Sequence, residues 1–198
     1  MNTMKRFSLA ICLVLALVGA GIAQDKAAQS NIVLDKMRQI DLLNHILPLA
    51  LKKEQILKML PVIEKARRDV KLQTDEEAKF LAQNAAKVDK AVKDGIEKGD
   101  VPDKQLLREL NAMVRVFAMK RAAIASDNAT MVLDVMKTTL NAGQMKVAAN
   151  SLDFKIYNPN VKPEDIKEED RLKLFVQEVI LDPLAYDLLV KIQAGARG

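Results

Sequence analysis

The sequence predicts an all-α protein, and three observations lead to that prediction. The residue types that favour helices are abundant, above all Ala, Leu, Lys, Glu, Gln and Met. The 198 residues include no Trp, seven Gly and six Pro, too few for the frequent tight turns of an all-β fold. Apolar residues recur at spacings of three and four, the periodicity of helices with one buried face. We expect a short-long-long-short four-helix curved hairpin, followed by two short C-terminal helices.

The first 23 residues have the features of a secretory signal peptide. Lys5 and Arg6 precede an apolar run, Leu9 to Ala20, of twelve uncharged residues. Small residues then lead to Ala23, after which cleavage is expected. Even extended to Ala23, the run is shorter than the roughly 20 residues that a membrane-spanning helix needs, so we expect export without stable membrane insertion. An uncleaved anchor is the alternative.

Export would leave a chain without thiols and with little net charge. Cys12 is the only cysteine and lies within the predicted signal, so neither a disulfide nor a thiolate is expected after cleavage. Lys5 and Arg6 are the only charges before residue 24, and the remainder carries three more basic than acidic side chains. These charges are spread along the chain, whereas a nucleic-acid binder needs a concentrated basic stripe. We therefore expect no nucleic-acid partner.

The first two helices are predicted at residues 30–47 and 53–98. Pro48 ends the first helix, because the residue before a proline avoids helical geometry. The second helix carries apolar residues that alternate in steps of four and three, a pattern that predicts a seam against another helix. These residues are Leu81, Ala85, Val88, Val92 and Ile96. Thr74 to Glu77 resemble a capping box, which predicts a break near Gln73.

A turn at Gly99 to Pro102 leads to a third long helix, predicted at residues 103–138. A fourth, short helix is predicted at 142–152. After a loop rich in Pro and Asn, two further helices are expected near 171–181 and 183–193, with Asp182 as the cap of the last one.

Two short stretches share the pattern L-x-x-x-Q followed by an apolar residue, 89 positions apart and each at a predicted helix start. Their residues are Leu51, Gln55 and Ile56 in the first copy, and Leu140, Asn141, Gln144 and Met145 in the second. Asn141 can cap its helix, Gln144 can reach back to that cap, and Leu140 can pack on Met145 as a hydrophobic staple. The first copy keeps the staple and the glutamine, but Lys52 is a poor cap. The alternative is that any two helix starts look alike.

With these two motifs, the chain resembles the Spy/CpxP family of bacterial periplasmic helical proteins, which is marked by two L-T-x-x-Q motifs. Lys52 and Asn141 stand where that family has Thr. The resemblance covers roughly residues 30–152, so we expect a family-like domain at 24–157 and a helical extension at 158–198. It implies a periplasmic homodimer that binds unfolded or misfolded proteins without ATP. Relatives sense or buffer metals.

The residues that catalysis or metal binding would require are scarce. His45 is the only histidine, and a metal site needs several converging ligands. Ser30, Ser126 and Ser151 lack the G-x-S-x-G setting of a nucleophilic serine. The acidic run from Glu164 to Asp170 can bind a cation, but a solvated helix start explains it better. We expect no enzyme activity, no metal and no cofactor.

Methionines and cations on the two long helices suggest a surface for unfolded clients, since flexible thioethers adapt to varied apolar partners. The candidate client-binding residues are Lys58, Met59, Arg67, Arg68, Arg115 and Met119. Core methionines and ordinary surface charge are the alternatives.

Arg121 and Asn128 fall on the apolar stripe of the third helix. A polar residue in such a seam often fixes register or oligomeric state, so both are candidate dimer or register residues. Alternatively the helix rotates, with Ala122, Ala125 and Ala129 inward and both polar groups in water.

The sequence thus favours an exported chaperone-like protein that binds unfolded or stressed envelope proteins. The alternatives are a sensor or regulatory module that docks on an envelope or membrane protein through its C-terminal helices, and a structural protein without a client.

Overall fold

A computed structural model describes residues 29–157, 162 and 165–195. These residues form an all-α structure without strands, which confirms the predicted fold class. The predicted signal peptide, its cleavage position and most of the loop after Tyr157 lie outside the described residues. The chain divides into two compact units, Met1–Asn44 and His45–Gly198.

Residues 29–46 form helix α1, and its first 16 residues are the described part of the first unit. The apolar side chains of this helix are largely exposed. Val33 is 51% exposed, Met37 is 60% exposed and Ile40 is 67% exposed, whereas Leu42 is buried. The helix was therefore predicted correctly, but most of its apolar face is in contact with solvent.

The second unit contains two long helices that pack against each other, α2 (Lys53–Lys98) and α3 (Lys104–Thr139). The turn between them begins at Gly99, whose positive φ of 74° suits a residue without a Cβ atom. The Asp103 carboxylate then caps α3 by accepting the backbone N–H of Gln105 at 2.9 Å. Both helices match the predicted segments to within one residue at each end.

The predicted break in α2 near Gln73 is wrong, because the helix runs without interruption to Lys98. The Thr74 hydroxyl donates to the carbonyl of Val70 at 3.0 Å, within the same helix. A hydroxyl used in this way stays in the helix and does not cap a new one.

Shorter elements complete the second unit. A 3₁₀ turn precedes α2, helix α4 follows α3, and the C-terminal part contains a π-helical segment. Their bounds are Leu47–Leu49 for the 3₁₀ turn, Ala142–Ala149 for α4, Phe154–Tyr157 for α5, Glu168–Phe175 for α6, Val176–Ile180 for the π segment and Ala185–Gly195 for α7. Helix α5 was not predicted, and α6 and the π segment were predicted as one helix.

The core of the second unit joins the first half of α2, the second half of α3 and the C-terminal helices. The side chains that fill it are 1% exposed or less: Ile56, Met59 and Ile63 from α2, Val132, Leu133 and Met136 from α3, and Phe175, Ile180 and Leu189 from the C-terminal part. Each such side chain contributes about 1.5–3 kcal/mol through burial. The C-terminal helices are therefore an integral part of this core.

This packing bears on the domain boundary that we expected after residue 157. Helix α7 packs on α2, and the π segment packs on α3, all within the unit His45–Gly198. The compact unit His45–Gly198 includes α2 and α3 together with the C-terminal helices.

The other half of the helix pair, from Thr74 to Val116, contains no buried residue. The seam predicted for α2 has the wrong phase, since Leu81 is 60% exposed, Val92 is 55% exposed and Ile96 is 80% exposed. A contact between the two helices occurs instead at Phe80, whose ring packs edge-on against Phe117 with centroids 5.5 Å apart.

Candidate functional site

The two repeated motifs lie at helix starts, as predicted. Lys52 and Asn141 are the N-cap residues of α2 and α4, so Gln55 and Gln144 are each the third residue of a helix. The Oε1 atom of Gln55 accepts the backbone N–H of Lys52 at 2.9 Å, and that of Gln144 accepts the N–H of Asn141 at 3.0 Å. Asn141 completes a capping box by accepting the N–H of Gln144 at 2.9 Å, which a lysine side chain cannot do.

The two motifs also bind each other directly. The Nε2 atom of Gln55 donates to Oε1 of Gln144 at 2.9 Å, and the Nε2 atom of Gln144 donates to Oε1 of Gln55 at 3.0 Å. We call these two residues the glutamine pair. Its amides also donate to the carbonyls of Thr139 and Leu49, each at 3.0 Å. The glutamine pair thereby ties together the 3₁₀ turn, the start of α2, the end of α3 and the start of α4.

Burial around the glutamine pair differs between the two copies. Gln144 is only 9% exposed, while Gln55 is half-buried. Ile56 and Leu140 are buried, and Leu51 and Met145 are half-buried. These contacts give the glutamine pair a structural role. The helix starts were predicted from the sequence and their reciprocal pairing was not, although the equal spacing within the two copies was the available signal.

The structure changes the set of candidate client-binding residues. Met59 is 1% exposed and belongs to the core, so its prediction as a client-binding residue is corrected. Lys58, Arg68, Arg115 and Met119 are exposed. Lys58 and Arg67 are nine positions apart, so they project from roughly opposite sides of α2. The structure therefore does not gather the predicted residues on one surface.

Arg67 has a more specific place, at the contact between α2 and α7. Its guanidinium lies 4.6 Å from the centre of the Tyr186 ring, a cation–π contact. It also lies 3.9 Å from Asp187 and 3.6 Å from Glu64. Arg67 thus helps to hold the C-terminal helix, and its charge is already shared with two carboxylates.

Arg121 and Asn128 prove to have different environments. Asn128 is 3% exposed, and its Nδ2 atom donates to the carbonyl of Ala66 across the α2–α3 interface at 3.2 Å. The Arg121 side chain is 54% exposed and forms an ion pair with Glu77. Asn128 therefore has the contacts of a register residue within the chain. The rotated alternative is wrong for Asn128, since only Arg121 reaches solvent.

A groove of about 630 Å³ lies beside Asn128, between α2, α3 and the C-terminal part. We call it the tail groove. Its apolar lining consists of Ala66, Val70, Ala125, Leu181 and Pro183, and its polar lining consists of Arg67, Lys71, Asn128, Gln177 and Glu178. Such a mixture of apolar walls and a few polar groups is typical of binding sites.

A second cleft, of about 650 Å³, lies at the turn between α2 and α3. Asp94 forms part of its lining and accepts hydrogen bonds from Lys90 and, at 2.7 Å, from Lys98. These hydrogen bonds lower the pKa of Asp94, and the bond to Asp94 raises the pKa of Lys90. The Asp94 carboxylate in this cleft is therefore already bound by two lysines.

His45 and Ser151, distant in sequence, meet in the second unit. The Nδ1 atom of His45 lies 2.7 Å from the Ser151 hydroxyl, which joins the end of α1 to the turn after α4. Both side chains are half-buried. The contact gives His45 a structural role.

Within the part of the chain that the structure describes, no three His, Cys, Asp or Glu side chains cluster so that they could hold a metal ion. No helix among these residues has the length and apolar character that a membrane crossing requires.

Comparison with protein families, with curated proteins and with solved structures found no match to this chain.

Proposed function

We propose that the protein is an exported, ATP-independent chaperone-like protein that binds unfolded or stressed envelope proteins as a homodimer. We further propose that it is related to the Spy/CpxP family. The two helix-start motifs support this relationship, since their glutamines bind each other and close one helical scaffold.

The observation that carries the proposed function is the exposed apolar surface of the α2–α3 pair between Thr74 and Val116. Its large apolar side chains are between 44% and 84% exposed, namely Leu81, Val92, Ile96, Val101, Leu107 and Val114. Removal of apolar area from water is favourable by roughly 25 cal/mol per Å², so these side chains can hold apolar segments of other proteins.

Cations interrupt this apolar surface. Lys79, Lys87, Lys93 and Arg115 are all exposed on the same stretch of the two helices. Charge between the apolar side chains keeps the surface soluble and limits the size of each apolar patch. Scattered patches of this kind suit weak binding to many unfolded chains better than tight binding to one folded partner.

The test is the aggregation of a chemically denatured model protein, diluted into buffer with and without the purified protein. We expect suppression of light scattering at an equimolar or greater dose. Exchange of two exposed apolar residues, Val92→Ser with Ile96→Ser, should raise the required dose several-fold.

The matched control carries two serines at exposed positions outside this apolar set, Gln83→Ser with Ala86→Ser, and should behave like the wild-type protein. Unchanged aggregation at all doses of wild-type protein would refute the proposed function.

A further inference from the structure

We propose that the tail groove binds an extended client segment in which apolar side chains flank a lysine or an arginine. The proposal rests on the proposed function and adds to it a defined binding site and a charge preference. The site is distinct from the open α2–α3 surface, since the tail groove lies at the packed half of the second unit.

The apolar walls of the tail groove come from three parts of the chain. Ala66 and Val70 lie one turn apart on α2, Ala125 faces them from α3, and Leu181 and Pro183 follow the π segment. The small Ala66 and Ala125 side chains leave the space, and the larger residues border it. A volume of about 630 Å³ accommodates two or three side chains of a peptide.

The charges around the tail groove favour a basic ligand. Both cations of its lining already have carboxylate partners, because Lys71 binds Asp75 at 2.6 Å and Arg67 lies near Asp187. Glu178 is exposed and forms no ion pair with any described residue. The unpartnered charge of the tail groove is therefore negative.

A buried amide adds a second acceptor. Asn128 is 97% buried, since its exposure is 3%, and its Nδ2 atom donates a hydrogen bond to the carbonyl of Ala66. Its Oδ1 atom receives no hydrogen bond within the described part of the chain. An amide oxygen and a carboxylate beside apolar walls match a ligand that brings N–H donors and positive charge.

The π segment explains why Glu178 faces outward next to a well-packed core. The N–H of Leu181 donates to the carbonyl of Val176 at 2.8 Å, five residues back, which is the hydrogen bond of a π-helix. Within this widened turn, Val176, Val179 and Ile180 are buried, while Gln177 and Glu178 are exposed. The core contacts therefore hold the turn that presents the two polar side chains.

The experiment measures fluorescence anisotropy of a labelled nine-residue peptide with alternating Leu and Val around a central Lys, titrated with the purified full chain. A peptide with Glu in place of Lys is the charge control. We expect the Lys peptide to bind about tenfold more tightly than the Glu peptide. Equal affinities for the two peptides would overturn the proposal.

Two variants test whether the tail groove is the site. Ala125→Leu fills it from an exposed position of α3, and Glu178→Lys reverses its free charge. Each should weaken Lys-peptide binding about tenfold, and Glu178→Lys should also invert the preference between the peptides. Glu97→Lys makes the same charge reversal at the distant end of α2 and should change neither affinity by more than about twofold. Circular dichroism establishes that each variant retains the helical content of the wild type.

The two proposals fail separately. If the wild-type protein suppresses aggregation but neither groove variant weakens peptide binding, the tail groove is wrong as the site and the proposed function stands. If the Lys peptide binds with the expected variant effects but aggregation is not suppressed, the groove stands as a peptide site and the chaperone-like function is wrong.

Discussion

At the scale of single residues, the glutamine pair uses the full hydrogen-bonding capacity of two side-chain amides. Each Oε1 atom accepts one backbone N–H and one amide N–H, and each Nε2 atom donates to its partner and to a backbone carbonyl. A glutamate at either position would lose both donors, and a leucine would leave the carbonyls of Leu49 and Thr139 without their partners. The geometry therefore requires glutamine at both positions.

We expect Gln144→Ala to lower the free energy of unfolding by about 1–3 kcal/mol, because the buried carbonyl of Leu49 loses its donor. Gln55→Ala should cost less, since its site is more exposed. The double variant should be less destabilised than the sum of the two, by about 0.5–3 kcal/mol, because each single variant already breaks the pair. Urea denaturation of the four proteins measures this coupling.

Gln105→Ala is the control for that cycle. Gln105 is exposed, and its amide reaches only Glu109 on the same helix, at 2.8 Å. Its replacement should change stability by no more than about 0.5 kcal/mol. Additive effects of the Gln55 and Gln144 variants would contradict the reciprocal pairing.

The difference in burial between Arg121 and Asn128 could not be predicted from the sequence. They are seven positions apart, so a heptad pattern assigns them to one stripe. In a straight helix, side chains seven residues apart differ in direction by roughly 20°. A long Arg side chain can reach from a helix interface to solvent, whereas a short Asn side chain cannot. Only the tertiary neighbours, Glu77 for Arg121 and Ala66 for Asn128, decide which residue is buried.

At the scale of elements, both ends of α2 and α3 and the start of α4 were well predicted, because local chemistry determines them. Asp103, Asn141 and Gly99 act through hydrogen bonds or backbone geometry within a few residues of their own positions. The phase of the α2 seam was not predicted. Apolar periodicity shows which face of a helix is apolar, but it cannot show that this face lacks a partner.

The C-terminal end of α2 should show a measurable pH dependence. Lys90 and Lys98 bind the Asp94 carboxylate and hold its pKa below the usual value. A carboxylate with a lowered pKa stabilises the fold above its unfolded pKa, and that stabilisation is lost as the pH falls through the folded pKa. We therefore expect NMR titration to find Asp94 ionised at a pH where a free aspartate is half protonated.

The double variant Lys90→Met with Lys98→Met supplies the comparison for this titration. Removal of both hydrogen-bond donors should raise the pKa of Asp94 towards its ordinary value, and helicity near Lys98 should then depend less on pH in the acidic range in which Asp94 is protonated. An Asp94 pKa that does not move in this variant would show that the lysines are not its cause.

At the scale of the whole molecule, the C-terminal helices belong to the core of the second unit. Residues 158–198 were predicted to be an extension, because their own apolar content does not reveal that they pack on α2 and α3. Deletion of these residues would remove α7 from α2, and α6 and the π segment from α3. Point variants are therefore better suited than truncation to separate a role in client binding from a role in docking.

Phe175→Ala should destabilise the whole second unit by about 3–5 kcal/mol, since the ring is fully buried where α6 meets the π segment. Loss of helical signal from α2 and α3 should accompany loss of the C-terminal helices in one thermal transition. Calorimetry combined with circular dichroism measures both effects.

Ile156→Ala serves as the matched control, because Ile156 is 76% exposed and its truncation should change stability by no more than about 0.5 kcal/mol. A first transition confined to the C-terminal helices would show that they fold separately.

The absence of buried residues between Thr74 and Val116 gives the second unit an uneven resistance to opening. The first half of α2 is held by side chains that are almost completely buried. The turn at Gly99 is held by surface ion pairs and by half-buried or exposed side chains. Backbone amides near Met59 will therefore exchange their hydrogens only through global unfolding, and those near Ile96 through local fraying. The helix pair is thus stable near Met59 and opens easily near Ile96. The end near Ile96 can therefore change conformation around bound molecules at little energetic cost.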